Sequence, residues 1–463
     1  MRSCAIVAAA CLLIQSVALA QPQWQRTYGG AKADGAKSVQ QTADGGYIVA
    51  GGTWSYGAGA GDVWLFKTNS LGDTVWTRAF GGDGWDLGNS VRPTADGGYI
   101  IAAYTESFGA GNGDIWLIKT DSLGDTAWTR TYGGVRWDDC YSVRQTDDGG
   151  YVVAGITESY GSGGPDAWLV KTDSAGDTIW TRTYGGTSLD EGHDVIPTSD
   201  GGYVIAASTM SFGAGSGDAW LIKTDSAGDT VWTRTYGGSG AEYVYSATLI
   251  AGRGYVITGA TESYGAGGLD VWLVKTDARG DTAWTRAYGG TGADEGWSVR
   301  QTSDGGYAVA GCTESFGAGA SDVWLLRTDG GGDTLWTSTY GDTGLDESYS
   351  VLQTADLGYI IAGATTSVGA GSYDAWLIKI GPDGPVAVAE PQLPAASMPA
   401  STTSIVRGLL SERGSQPAAL VDMSGRKVLE LRRGANDVGS LVPGVYFVLE
   451  TQAETVRKVV VTK

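Results

Sequence analysis

Histidine, cysteine, proline and phenylalanine are all scarce in this chain: among 463 residues there is one His, four Cys, 11 Pro and six Phe. A single histidine excludes a multi-His metal centre and catalysis by paired imidazoles. So little proline excludes collagen and a Pro/Gly-rich disordered chain, although glycine, at 75 residues, is about twice its usual share. Positive charge is short as well. Lys and Arg number 31 against 51 Asp and Glu, a net charge of −20. That balance argues against nucleic-acid and anionic-membrane binding, both of which need basic patches. What the chain has instead is 18 Trp and 23 Tyr, too much rigid apolar surface for a disordered protein.

Only the first segment carries a long apolar run. Arg2 precedes an apolar stretch from Cys4 to Ile14, followed by Gln15-Ser16-Val17-Ala18-Leu19-Ala20. A short basic start, an apolar stretch and a small-x-small ending read as a secretory signal cut after Ala20. The run is too short and too poorly flanked for a spanning helix. Cys11 lies mid-run, where a lipoprotein-type cut would leave too little apolar segment. The expectation is an exported, soluble mature protein.

Internal repetition dominates the rest. Trp24, Trp76, Trp128, Trp180, Trp232, Trp284 and Trp336 are 52 residues apart; Tyr47 to Tyr359 and Trp64 to Trp376 keep the same step. Seven copies run without insertion or deletion from Trp24 to about Gly384. In the third copy, Tyr141–Gln145, Tyr151–Thr157, Ala167–Thr172 and Thr178–Tyr184 have strand composition. They are separated by Asp-Asp-Gly-Gly and Asp-Ser-Ala-Gly-Asp turns, where glycine supplies positive φ. Four strands in a roughly 50-residue period predict a propeller blade.

The ends predict a closed ring rather than an open stack with capping copies. The last copy lacks its Asp-Thr-x-Trp strand, with Pro385 where the Asp would fall, and Trp24–Tyr28 is the strand it lacks. The fold expected over residues 21–385 is an all-β, seven-bladed β-propeller of four-stranded blades with 3+1 closure, which removes exposed edges. The Trp pair of each copy is expected to pack between blades. Cys140 and Cys312 fall in different copies, 172 residues apart, so no disulfide between them is expected.

The strand-turn-strand W-L-I-K-T-D-S-A-G-D-T-V-W resembles the Trp-docking repeat of quinoprotein-type propellers over about twenty residues per copy. The resemblance implies the fold. It does not bring quinone chemistry, because the vicinal Cys-Cys pair of those dehydrogenases is missing.

Residues 386–403 turn to Ala, Pro, Ser and Thr and read as a linker. Residues 404–463 hold nine basic and six acidic residues, against a strongly acidic upstream region. Short strands are expected at Val421–Val428, Asn436–Val438, Leu441–Val448 and Arg457–Val461. The elements S-G-R-K-V, L-V-P-G-V-Y-F-V and R-K-V-V-V resemble, in order, the C-terminal (type A) sorting domain of type IX secretion cargo. The resemblance implies a small β-sandwich-like domain and a Gram-negative bacterium. It further implies export, crossing of the outer membrane, and release or surface anchoring after loss of the tail. The partner implied is the secretion machinery, acting on residues 404–463. An ordinary β-sandwich module is the alternative.

Candidate chemistry sits on the face of longer loops, opposite the tight turns. Asp34, Asp86, Asp138, Asp190, Glu242, Asp294 and Asp346 lie ten residues after each first Trp. Asp62, Asp114, Asp166, Asp218, Asp270, Asp322 and Asp374 lie two before each second Trp. Two readings stand: loop capping through backbone N–H groups, or oxygen ligands for Ca2+, though no D-x-D-x-D-G spacing occurs.

The copies differ most at Lys37, Asn89, Tyr141, His193, Tyr245, Trp297 and Tyr349, with Trp85, Trp137 and Tyr243 nearby. Aromatics mixed with carboxylates around a channel mouth suit stacking on sugar rings; drift of exposed loops is the alternative. His193 beside Asp190, Glu191 and Asp194 is a candidate base or an incidental loop residue. The Gly-Ala-Gly loops lack the Lys and following helix of a phosphate cradle. The reading reached is a secreted or surface-displayed monomeric binding module for a glycan or protein. The alternatives are a polysaccharide-active enzyme using mouth carboxylates, and a structural or adhesive coat protein.

Overall fold

The computed structural model describes residues 22–250 and 252–382, and seven short strands between 404 and 461. The expected leader and linker lie outside the described residues. The chain divides into two compact units, Met1–Val388 and Ala389–Lys463.

The first unit is a seven-bladed β-propeller of four-stranded antiparallel sheets. Blades 1 to 6 are continuous in sequence, starting at Asp34, Asp86, Asp138, Asp190, Glu242 and Asp294. Blade 7 takes three strands from Asp346–Ile380, and its fourth is Pro22–Tyr28, with Trp24 opposite Lys379 and Tyr28 opposite Ala375. The 3+1 closure read from the chain ends is the one observed. The first strands of successive blades touch one another in a closed ring around the central channel.

Blade 3 illustrates why these residues form these strands. The second and third strands, Tyr151–Thr157 and Asp166–Thr172, are buried throughout, as expected for β-branched and aromatic runs covered on both faces. Between first and second strands the turn Thr146–Gly150 closes with Gly149 at φ +80°, a value that favours glycine. Thr146 Oγ1 (2.5 Å) and Gly150 N (3.0 Å) both donate to Asp148 Oδ1.

The inner strands are longer at their start than the sequence pattern suggests. Each begins at the first-ring carboxylate, as in Asp138–Gln145, and each carries a bulge three residues in. The bulge residues are Lys37, Asn89, Tyr141, His193, Tyr245, Trp297 and Tyr349. They are therefore strand residues, not loop residues preceding the strand. A bulge re-aims one side chain without ending the pairing.

The apolar core lies between blades. Ile100, Leu117 and Tyr132 of blade 2 pack on Val143, Val153 and Trp168 of blade 3, and equivalent clusters recur around the ring. The second Trp of every copy is at most 5% exposed. The first Trp meets the next blade's Tyr edge-on or tilted, as Trp128 meets Tyr151 edge-on at 5.8 Å and Trp76 meets Tyr99 tilted at 6.1 Å. The expected packing role of the Trp pair is what the structure has. Cys140 and Cys312 are free thiols.

A second set of ties runs along the channel. Val91 N donates to Ser38 Oγ of the previous blade (3.2 Å), Val143 N to Ser90 Oγ (3.4 Å), Val351 N to Ser298 Oγ (3.2 Å) and Val39 N to Ser350 Oγ (3.3 Å). Each satisfies an inner-edge N–H that no strand reaches. In blade 4 the serine is replaced by Asp194.

In the second unit, one sheet has the order Ser404–Val406, Val456–Val461, Gly444–Glu450, Ala418–Val421, Lys427–Leu431. Its first pair is parallel. Leu409–Glu412 pairs separately with Gly434–Asp437. Of the expected tail strands, Arg457–Val461 and Val445–Val448 lie within described strands, whereas the stretch expected as one strand, Val421–Val428, touches the ends of two that pair with each other; residues 422–426 and 438–443 lie outside the described residues.

Candidate functional site

The bulges bring the most divergent side chains of the repeat into one belt around the channel. Tyr141 meets His193 (ring centroids 5.1 Å), His193 meets Tyr245 (5.8 Å), and Tyr245 stacks on Trp297 (4.0 Å, 11° between planes). Trp297 meets Tyr349 edge-on at 5.6 Å, and Lys37 Nζ sits 3.3 Å from the Tyr349 ring centroid. Asn89 Nδ2 donates to Cys140 O (2.8 Å) and lies 3.3 Å from Asp139 Oδ1. Tyr243 lies parallel to Tyr245 at 6.5 Å and extends the belt.

Two residues before the belt positions, on the same strands and nearer the loop face, are Asp139, Glu191, Glu295 and Glu347. Tyr349 Oη donates to Glu347, and His193 Nε2 lies 3.5 Å from Glu191 Oε2. Burial pushes the Asp139 carboxyl up to about 7; its bond from Cys140 N (2.7 Å) opposes this and the charge of Glu191 adds to it. Burial also acts on Glu191, but the nearby His193 outweighs it and holds that carboxyl below its usual range. Burial raises Glu295. Burial lowers the Lys37 ammonium to about 8 against the charge of Glu347. Adjacent carboxyls are thus held in different protonation ranges at one mouth of the channel.

Trp85 and Trp137 are not in the belt. Trp85 is 50% exposed on the loop face, and Trp137 stands 6.5 Å from Tyr104. Their carbonyls accept Glu106 N and Glu158 N, pinning the loops ahead of the inner strands.

The first carboxylate ring is buried and does not converge. Asp138 accepts from Thr157 Oγ1, from Ser159 Oγ (2.6 Å) and from Gly134 N (2.8 Å). Asp34, Asp190 and Asp294 repeat this set. Asp86 accepts from Gly82 N and Ser107 Oγ, Glu242 accepts from Gly238 N, Thr261 Oγ1 and the backbone N of Ser263, and Asp346 accepts from Ser367 Oγ (2.6 Å). Each holds one loop of its own blade, which is the capping geometry. The second ring does likewise: Asp114 accepts from Ala110 N (2.7 Å) and Asp166 from Ser162 N (2.8 Å). Members of the two rings meet in pairs across one glycine. A Cβ on Gly133 would lie 1.8 Å from Asp114 Oδ1 and 2.9 Å from Asp138 Oδ2, so only glycine leaves room there. Among the described residues no group of three or more His, Cys, Asp or Glu is placed to hold a metal ion.

Sequence reasoning missed the next level of the channel, three residues past the belt, where blades 2, 3 and 6 carry Arg92, Arg144 and Arg300. Their 52-residue register was the available signal.

Fold and site together define a seven-bladed β-propeller with a side-chain belt in its channel. No protein-family model matches the chain. No curated protein matches it either. Solved structures do. The extracellular domain of a putative hybrid two-component system from B. thetaiotaomicron aligns at 11% identity and TM-score 0.45, over 95% of this chain and 57% of that one. This chain therefore spans little more than half the length of that protein. A fungal alcohol oxidase of the AA5 family, in complex with copper, aligns at 12% identity and TM-score 0.49, over 96% and 100%. PorZ, a surface component of the type IX secretion system of Porphyromonas gingivalis, aligns at 12% identity and TM-score 0.43, over 94% and 60%. At these identities nothing that those proteins bind or do transfers to this chain. Among the described residues no helix is long and apolar enough to cross a membrane.

Proposed function

We propose that this protein is a secreted or surface-displayed binding module that takes a glycan at the loop-face mouth of its channel. One observation carries this reading: the side chains that differ most between copies form a single contiguous belt, Tyr141, His193, Tyr245, Trp297 and Tyr349. Aromatic faces suit the apolar faces of sugar rings. The neighbouring carboxylates Asp139, Glu191, Glu295 and Glu347 accept from hydroxyls. Trp85 and Trp137 flank the approach from the loop face. The exported state and the type IX-like route rest on the leader and on the tail resemblance, and the secretion machinery is the partner proposed for residues 404–463.

The test is a glycan array probed with residues 21–385 in calcium and again in EDTA. Selective binding that falls at least tenfold in Trp297→Ala and Tyr141→Ala, with unchanged circular dichroism, is expected. A blank array in both buffers defeats the glycan reading and leaves a protein partner or a structural coat role. Loss of binding in EDTA alone would return Ca2+ to the carboxylate rings.

A second reading is favoured by Asp139 and Glu191, whose carboxyls are shifted in opposite directions on adjacent blades. Such a pair can divide acid and base roles in glycoside hydrolysis. Release of new reducing ends from a bound glycan, abolished by Asp139→Asn, would select it over binding alone.

A further inference from the structure

Past the aromatic belt the channel changes sign. Arg92, Arg144 and Arg300 occupy the same register of the inner strands of blades 2, 3 and 6, opposite Ile100, Val152 and Ala308. This is one residue short of each strand's last paired position at the tight-turn face, away from the acidic mouth. Among the described residues only one carboxylate faces them. Asp194 accepts from Arg144 Nη2 (2.8 Å), Ser142 Oγ (2.7 Å) and Val195 N (3.0 Å) on one oxygen, and from Ala247 N (3.2 Å) and Ser246 Oγ (3.4 Å) on the other. Its capacity is used.

The other two guanidiniums are poorly matched. Arg300 Nη1 donates to its neighbour's carbonyl, Val299 O (2.7 Å), and weakly to Ser246 Oγ (3.4 Å). Arg92 Nε is buried and donates to no partner among the described residues. The three are close enough to act on one another: burial, then the charges of Arg144 and Arg300, pull Arg92 well below the usual guanidinium range, and Asp194 compensates only in part. Arg300 is lowered in the same way, chiefly by burial. Three guanidiniums against one carboxylate leave an excess of positive charge inside a chain whose net charge is −20. Buried cations without counter-charge are costly, and a guanidinium's planar fork matches an oxyanion.

We propose that this level of the channel is an oxyanion site, in which Arg92 and Arg300, beside an Arg144 held by Asp194, bind a carboxylate, sulfate or phosphate group entering from the tight-turn face. Entry from the other mouth is opposed by Asp139, Glu191, Glu295 and Glu347. The site is separate from the aromatic belt and does not depend on the glycan reading.

The experiment uses the full chain, titrated with inorganic sulfate, inorganic phosphate and glucuronate, each against chloride at matched ionic strength. Isothermal titration and thermal unfolding are the readouts. The expected result is saturable one-to-one binding of at least one oxyanion with a rise in Tm that chloride does not give. Preference for glucuronate identifies an acidic saccharide as the source, and preference for a tetrahedral anion identifies a sulfate or phosphate. Arg92→Gln should weaken binding at least tenfold, and Asp194→Asn, which removes the competing carboxylate, should strengthen it several-fold. Absence of saturable binding by all three oxyanions in the wild type overturns the proposal without recourse to any variant. So does binding that Arg92→Gln leaves unchanged.

Discussion

The seams between blades and the wall of the channel are cut from the same seven repeats, yet they follow opposite rules. At the seams, Trp64 through Trp376 recur without substitution and are buried throughout. At the wall, the bulge position presents Lys, Asn, Tyr, His, Tyr, Trp and Tyr in turn. A seam joins two different faces of the repeat, and the same seam recurs around the ring, so any change must be accommodated by a rigid neighbour. A bulge residue projects into the channel, where it meets other bulge residues and the carboxyls beside them rather than the seam, and its identity is free of the seam's packing. The difference separates what the repeat needs in order to fold from what it is free to spend on a ligand.

The strongest way to break that comparison is to truncate one aromatic from each region. Trp168→Ala should cost about 3–5 kcal/mol, the range for a buried large-to-small change. Trp297→Ala should cost only about 1 kcal/mol, mainly its stack on Tyr245. Denaturant unfolding of the two variants checks this, and equal costs would show that the belt is core.

Next in size is the one place where the wall departs from the serine ring. Asp194→Ser in chloride buffer strands the mostly buried Arg144 and should cost about 3 kcal/mol. Adding Arg144→Gln, which copies the Gln40 and Ser90 arrangement of blades 1 and 2, should recover most of that loss. A double variant no better than the single would mean that Asp194 works through its backbone contacts instead.

Leu357 offers a gain. It has φ +66°, at the turn position held by a glycine in blades 1 to 4 and 6, and its side chain is 54% exposed. Leu357→Gly should stabilise by about 1 kcal/mol, since relief of the left-handed conformation outweighs the added freedom of the unfolded chain. A loss of stability would show that blade 7 has adapted its turn to leucine.

The smallest expected effect is with pH. Burial, and then the charge of Glu242 against the pull of the Ala214 N–H, raises Asp218 to about 6. A raised carboxyl contributes stability that is complete below its unfolded value and is lost as pH rises through 6. Asp44 and Asp200 run the other way. The hydrogen bond from Lys67 lowers Asp44 to about 2, and that from Thr198, with Lys223, lowers Asp200 to about 2. Their contribution is present above about 4 and is lost as pH falls through 2. Thermal midpoints should therefore rise from pH 7 toward 4 and fall below 3, and Asp218→Asn should remove part of the upper arm, to which the raised Asp139 also contributes.

Much of this was legible in the sequence because repetition makes it so. Trp24–Tyr28 matched the strand missing after Ile380, and the 3+1 seam followed. The belt residues were legible as the positions where copies disagree, since a shared backbone turns disagreement into adjacency. The bulge itself was not legible: it adds a residue to one strand without leaving a composition signal, so the inner strand read as starting at Tyr141, with the belt residue at its end rather than three residues inside a strand that begins at Asp138. Trp85 and Trp137 misled for the same reason, being near the belt in sequence but on the other side of the bridge that opens the strand. The arginine level was hidden because only blades 2, 3 and 6 carry it, and only the ring brings blade 6 across from blades 2 and 3.

The closing strand sets the order in which the chain can become whole. Within the propeller, Pro22–Tyr28 is synthesised first and pairs with Asp374–Ile380, among the last propeller residues to appear. Six blades can form as they emerge, each from local hairpins, while the opening segment waits without its partner. Completion then depends on a contact of nearly the greatest sequence separation the propeller allows, a slow step by the general dependence of rate on contact distance. Throughout that wait the outer edge of the seventh blade and the first strand are both open, so the time for which the protein is vulnerable to mispairing is set at a single seam.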